Sequence, residues 1–215
     1  MTPILVPGTG SWQDDNRVDW YCPGSPFVDF LDRQNLAPAF GRRYDLGYDI
    51  GLAPFIWSTD LAGVPILSRL ATWAAGGAAL AYFVEVSANL RGKDTAVIAH
   101  SHGLQPVLYS CAEQNLRVAQ LISVGSPVRH DMLAIAKRAR PRIGFWRHLH
   151  SDASDRWQWL GELFDSHFSI VRAHPLADEN VGVPKVGHSE LLRDASLFHL
   201  WVDEGWLQPL QRRPA

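Results

Sequence analysis

The sequence predicts an α/β fold, with a mostly parallel central sheet and helices on both faces. Three observations carry this expectation. Short apolar runs of strand length alternate with longer stretches of helical character, the pattern of consecutive βαβ units. The runs at residues 95–99 and 119–124 are apolar without alternation, as in strands covered on both faces. The chain has 215 residues of which 47% are hydrophobic, enough for a sizeable core in one domain. There is no internal repeat or low-complexity tract, so a single domain over residues 1–215 is expected. Residues 11–50 and 156–168 are possible substrate-shaping insertions, with at most a small lid.

The elements follow in order. Residues 3–6 form a short apolar strand that runs into Pro7-Gly8-Thr9-Gly10, a tight loop. Residues 11–24 are polar and irregular. Ser25-Pro26 opens a helix, serine as N-cap and proline at the first helical position. Phe27, Phe30 and Leu31 give that helix one apolar face. Residues 54–57 read as a second short strand. Residues 61–91 are helical in composition, with breaks expected near Pro65 and Gly76-Gly77. A buried strand at 95–99 is followed by a helix from Leu104 to about Asn115, with Pro106 tolerated in its first turn. The strand 119–124 ends in Gly125-Ser126-Pro127, and 128–140 is a helix. Residues 143–150 form a strand and 168–173 one more. Helices at 189–197 and 200–207 close the chain.

Composition excludes several functions. The formal net charge is −2, from 20 basic and 22 acidic residues, without the clustered basic surface that nucleic acid requires. The densest basic stretch, Lys137, Arg138, Arg140 and Arg142, reads as the solvated end of a helix. Cys22 and Cys111 are too few for a disulfide framework and read as buried free thiols. The N-terminus lacks the charged and apolar regions of a signal peptide, so a cytoplasmic location is expected. The longest uncharged apolar stretch, near residues 70–84, is too short to span a bilayer, and no transmembrane segment is expected.

The chemistry concentrates at the ends of the predicted strands, where α/β sheets carry their sites. Ala99-His100-Ser101-His102-Gly103 lies between a buried strand and a helix. That is the setting of a nucleophile elbow, a sharp turn that lifts a serine hydroxyl above the sheet. The turn needs small residues two before and two after the serine, and Ala99 and Gly103 meet that need. The same turn aims the His102 N–H at the space beside Ser101, near a helix N-terminus. A serine hydroxyl needs a base, and a carboxylate to hold that base in the correct tautomer. His188, in a loop before a helix near the C-terminus, stands where the chain order Ser, Asp or Glu, His puts the base. The acid is expected after the strand 143–150. Asp155 is favoured because the intervening loop lets its carboxylate turn back towards His188. Asp152 is the second candidate and Asp178 the third. The glycine-rich loop after the first strand exposes backbone N–H groups, and that of Thr9 pairs with that of His102 as an oxyanion hole. The loop lacks the G-x-x-x-x-G-K-[ST] of a phosphate-binding turn.

Together these segments resemble the α/β-hydrolase superfamily on its lipase and esterase side. Pro7-Gly8-Thr9-Gly10 is similar to the His-Gly-x-Gly oxyanion loop of lipases, with Pro7 in place of His. Ala99-His100-Ser101-His102-Gly103 is similar to the Ala-x-Ser-x-Gly elbow of small bacterial lipases. Ser123-Val124-Gly125-Ser126-Pro127 resembles the Gly-Thr-Pro segment that ends the next strand, and Gly187-His188-Ser189 the catalytic-histidine loop. The resemblance implies an acyl-ester hydrolase that needs no cofactor and acts on a small-molecule or lipid-like ester. It carries the triad onto Ser101, Asp155 and His188 and the oxyanion donors onto Thr9 and His102.

Three rival readings stand beside this one. His148, His150 and Asp152 alternate along one strand, and with His167 or His174 they suggest a metal. Neither a Cys cluster nor a helical His pair accompanies them, so no metal is expected. The fold also serves non-catalytic binding modules, and the same triad hydrolyses thioesters and amides. Finally, Trp157, Trp159, Leu160, Leu163, Phe164 and Phe168 read first as a core-facing helix, and second as a lid or acyl-binding wall. On the second reading Trp12 and Trp20 line the same cleft.

Overall fold

Five parallel strands form the sheet that organises the molecule, in the order β1-β4-β5-β6-β7. The computed structural model describes residues 1–8, 19–45, 48–53, 66–87, 90, 95–151, 167 and 172–211, with the backbone alone over 41–45, 48–53 and 66–69. The elements in chain order begin with β1 (Pro3–Val6), α1 (Pro26–Arg33), β2 (Gly41–Asp45), β3 (Tyr48–Ala53) and α2 (Ile66–Val86). They continue with β4 (Thr95–His100), α3 (Leu104–Glu113), β5 (Val118–Val124), α4 (Leu133–Ala139), β6 (Ile143–Ser151) and β7 (Glu179–Val183). Three short helices end the described chain: α5 (Glu190–Arg193), α6 (Phe198–Asp203) and α7 (Gln208–Gln211).

The pleat divides the strand residues between two cores. Leu5, Ala96, Ile98, Ile122 and Val124 face α1 and the C-terminal helices, where Phe27, Leu31, Leu192, Phe198 and Trp201 cover them. Ile4, Val6, Val97, Ala99 and Leu121 face the other way, onto Leu80 of α2, Leu104, Val107 and Leu108 of α3 and Ala136 of α4. Both faces are therefore buried, which is why 95–99 and 119–124 show no polar alternation. Ser25 caps α1 as its sequence predicts, its Oγ accepting the Val28 N–H at 3.2 Å. Cys22 and Cys111 are free and buried, and burial pushes the Cys111 thiol up to about 12. The basic cluster is solvated but not loose. Arg138 donates to Glu113, Arg140 to Asp178 and Arg142 to Asn115, which ties α4 and the turn after it to α3 and β7.

The structure corrects the sequence reading at four places. β2 and β3 form an antiparallel hairpin that was not expected within 11–50. The helix predicted to break at Gly76-Gly77 runs unbroken from Ile66 to Val86. Gly77 serves contact instead, because a Cβ on it would stand 2.8 Å from Ser110 N and 2.8 Å from Tyr109 Cβ, on α3. Among the described residues the last strand is β7, at 179–183; of the strand expected at 168–173, residues 172 and 173 are not in a strand and 168–171 lie outside the described residues. The 128–140 helix is shorter than expected, with α4 flanked by single 3₁₀ turns at His130–Met132 and Arg140–Arg142. The strand expected at 54–57 lies outside the described residues, as does the segment 156–168 except His167. Among the described residues no helix is long and apolar enough to cross a membrane.

Candidate active site at the carboxyl edge of the sheet

β4 delivers Ser101 to the carboxyl edge of the sheet, and the chain turns there into α3 through a single 3₁₀ turn. Ser101 has φ +51°, a left-handed conformation that a residue with a Cβ adopts at a cost of about 1–3 kcal/mol. The turn closes only because its neighbours are small. A Cβ on Gly103 would lie 2.5 Å from the carbonyl oxygens of Val6 and Pro7, so α3 starts in contact with the loop after β1. That loop returns the contact. A Cβ on Gly8 would lie 2.8 Å from Ser101 Cβ and 3.4 Å from its Oγ, so the Gly8 backbone stands directly beside the hydroxyl. The strand–turn–helix is thus present as the sequence predicts, with Pro7 and Gly8 of the glycine-rich loop against it; Thr9 and Gly10 lie outside the described residues.

His102 stacks its ring on Trp73 of α2, ring centroids 5.7 Å apart and planes 26° apart. The Arg129 guanidinium lies 5.0 Å from the centroid of the same indole. Arg129 is itself buried and holds Asp131 through Nε at 3.0 Å and Nη2 at 2.8 Å. This stack braces the residue after Ser101 from beneath, and no local sequence signal links positions 73, 102 and 129.

His188 lies in the loop between β7 and α5, at the same edge. Its Nδ1–Cε1 side faces the turn after β5: a Cβ on Gly125 would stand 3.4 Å from His188 Nδ1 and 3.5 Å from Cε1. Its ring is 4.9 Å, centroid to centroid, from that of His100. His188 and Gly125 border a small recess together with Ser151, the last residue of β6. The loop is tied down at successive residues. Ser151 Oγ donates to the Val186 carbonyl, Gly187 N–H donates to Glu190 Oε2 at 2.8 Å, and His100 Nε2 lies 3.1 Å from the His188 carbonyl.

Of the three acid candidates, Asp155 and Asp152 lie outside the described residues. Asp178 is described and stands at the wrong end. It precedes β7, its carboxylate accepts the Trp146 N–H at 2.7 Å and pairs with Arg140, and β7 runs from there towards the site. Trp12, Trp157 and Trp159 also lie outside the described residues. Trp20 is a core residue, 2% exposed, packed edge-on against Tyr21, Phe27 and His100.

Two of the histidines that suggested a metal, His148 and His174, have other partners. His148 places Nδ1 2.8 Å from Ser123 Oγ and Nε2 3.0 Å from the Arg172 carbonyl, so both ring nitrogens are committed. His174 packs its ring on Trp146 at 4.2 Å. Among the described residues no three His, Cys, Asp or Glu side chains converge on a point.

No protein-family model matches the sequence, and no curated protein matches it. Solved structures do. The chain is similar to the Pyrococcus furiosus esterase Pf2001, with TM-score 0.52 and 14% identity over 98% of this chain and 82% of that one. It is similar to the metagenome-derived lipolytic enzymes LipS and LipT, with TM-score 0.50 and 11% identity over 98% of this chain and 94% of that one. An uncharacterized Bacillus cereus protein gives TM-score 0.51 and 12% identity over 95% of this chain and 60% of that one. At these identities the likeness is one of fold, and the chain has the α/β-hydrolase fold.

Proposed function

We propose that the protein is a serine hydrolase that cleaves carboxylic esters. The observation that carries the reading is the φ of +51° at Ser101, in a strand-to-helix turn pressed against Gly8 and sharing its sheet edge with His188. A left-handed serine is costly and is retained where it serves a task. The elbow shape lifts the hydroxyl out of the sheet and leaves the following N–H pointing at the same space.

In this reading Ser101 Oγ attacks the acyl carbon while neutral His188 takes its proton. The carbonyl electrons move onto oxygen, held by the N–H groups of His102 and Thr9. Collapse expels the alcohol, which His188 protonates, and leaves an acyl-serine. Water then repeats the sequence, releasing the acid and restoring Ser101. Asp155 holds the His188 tautomer, with Asp152 as the other candidate. Ser151 borders the same recess as His188, which supports an acid drawn from the residues that follow it. The esterase and lipolytic neighbours support a hydrolase of this kind. Trp12, Trp157 and Trp159 are proposed to line the acyl-binding wall.

The test is hydrolysis of p-nitrophenyl esters from acetate to palmitate, with fluorophosphonate labelling. Wild type turns over at least one ester and is labelled, and Ser101→Ala loses about 10⁴-fold or more in kcat. Asp155→Asn falls by several orders of magnitude and Asp152→Asn by far less. Absence of both turnover and labelling in wild type excludes the reading. Thioester or amide cleavage without ester cleavage redirects it.

A further inference from the structure

We propose that His100, the residue before the strained serine, is a positioning residue that fixes His188 relative to Ser101. The inference rests on the roles given above to Ser101 and His188.

Four observations support it. His100 Nε2 lies 3.1 Å from the His188 carbonyl oxygen and 3.2 Å from Ser189 Oγ. A carbonyl oxygen can only accept, so the hydrogen bond to it assigns the proton to Nε2, with Ser189 Oγ as a second acceptor. The ring is 5% exposed and packed edge-on against Trp20 at 6.0 Å, so it cannot swing away from this partner. On its other side the same carbonyl meets the backbone of Gly125, whose φ is +56° and where a Cβ would stand 2.9 Å from it. The His188 peptide is thereby gripped between β4 and the turn after β5.

The tie from His100 differs from the other tethers of this loop in its origin. Ser151 holds Val186 from β6, and Glu190 holds Gly187 from α5. His100 holds His188 from β4, one residue from the nucleophile. A displacement of one partner is therefore transmitted to the other, and the base and the serine stay in register. Burial, together with His188 nearby, keeps the His100 imidazole well below its ordinary titration range. It therefore remains a neutral donor wherever a serine–histidine pair works.

Proton transfer depends steeply on geometry, and a displacement of about 1 Å costs on the order of 10²-fold. His100→Phe keeps the ring volume and deletes the donor. His100→Gln restores an N–H within reach of the same carbonyl. In the full chain, His100→Phe is expected to lower kcat roughly 30- to 100-fold with KM changed less than about 3-fold, and to slow fluorophosphonate labelling of Ser101 in parallel. His100→Gln recovers most of both rates. Long-range ¹H–¹⁵N correlation on the wild type, which needs no variant to fold, is expected to find His100 neutral and protonated on Nε2 from about pH 5 to pH 9. Wild-type kcat in His100→Phe, equal loss in folded His100→Gln, or a His100 that titrates or carries its proton on Nδ1 each overturns the inference. A wild type with no turnover and no labelling, but with the same His100 tautomer, overturns the esterase reading instead.

Discussion

Two serines reached from one sheet make a comparison: Ser123 with His148 inside it, and Ser101, proposed to work with His188, at its carboxyl edge. Ser123 of β5 and His148 of β6 share a hydrogen bond of 2.8 Å, and both are fully buried. Trp146 Nε1 donates to the same Ser123 oxygen at 2.8 Å, and the Arg172 carbonyl takes up His148 Nε2. Every polar atom of that pair is used inside the core, and the backbone at Ser123 is ordinary strand. Ser101 and His188 stand at the sheet's carboxyl edge instead. Ser101 is in a left-handed turn, and His188 is in a loop braced by β4, β6 and α5. The proposed site differs from this buried contact in its position at the edge, the left-handed backbone of Ser101 and Gly8 alongside.

The largest expected effect opposes the two serines directly. Ser101→Ala is expected to lose about 10⁴-fold or more in kcat, whereas Ser123→Ala keeps turnover within about 2-fold. Comparable losses in both, measured on folded protein with one ester, would erase the distinction. Stability should separate them the other way. Ser123→Ala leaves His148 Nδ1 and Trp146 Nε1 without their partner and is expected to cost about 1–3 kcal/mol in urea unfolding. Ser101→Ala changes little.

Acid should act through the buried pair. Burial, reinforced by His174 and His150, lowers the His148 imidazole from 6.5 to about 3, and burial lowers His174 to about 4. Below pH 6.5 the unfolded chain binds protons that the folded chain refuses, so stability rises with pH in this window. It is expected to fall as the pH drops from 6.5 towards 3, and the urea midpoint should decline accordingly. His148→Gln should flatten that decline, and an unchanged slope would mean that other groups carry it.

The smallest effect concerns strain. Glycine adopts φ +51° freely, so Ser101→Gly is expected to be about 1 kcal/mol more stable than Ser101→Ala, and equally inactive. Asn35 and Asn115 also have positive φ, at 58° and 60°, but asparagine tolerates that region. Their replacement by glycine should gain less. A Ser101→Gly midpoint at or below that of Ser101→Ala would remove strain as a mark of the site.

What the sequence reveals divides along similar lines. The elbow at 99–103 is legible because its grammar is local: an apolar strand, two small residues, a helix start. The turn out of β1 at Pro7-Gly8 and the loop of His188 are legible for the same reason. β7, with the sequence Glu-Asn-Val-Gly-Val, is not legible, because its place is set by pairing with β6 and its composition carries no strand signal. The β2–β3 hairpin is hidden in the same way, with arginines, aspartates and glycines where apolar alternation is looked for. Gly76-Gly77 reads as a breaker until α3 is seen lying against it. Most of all, the roles of His100, Trp73 and Arg129 arise between elements far apart in the chain. No spacing rule reaches them.

The order of the sheet has a consequence for how the protein comes to life. The first strand finds its partner only when β4 has been made, and each later strand then adds beside the one before it. His188 arrives after the whole sheet, on the segment that closes over it. During synthesis or refolding, the turn at Ser101 can be complete while His188 is still undocked. On the proposed reading, the appearance of turnover times the docking of the C-terminal segment, whose Leu192, Phe198 and Trp201 also complete one of the two cores. Long-range parallel pairing makes that interval slow enough to follow.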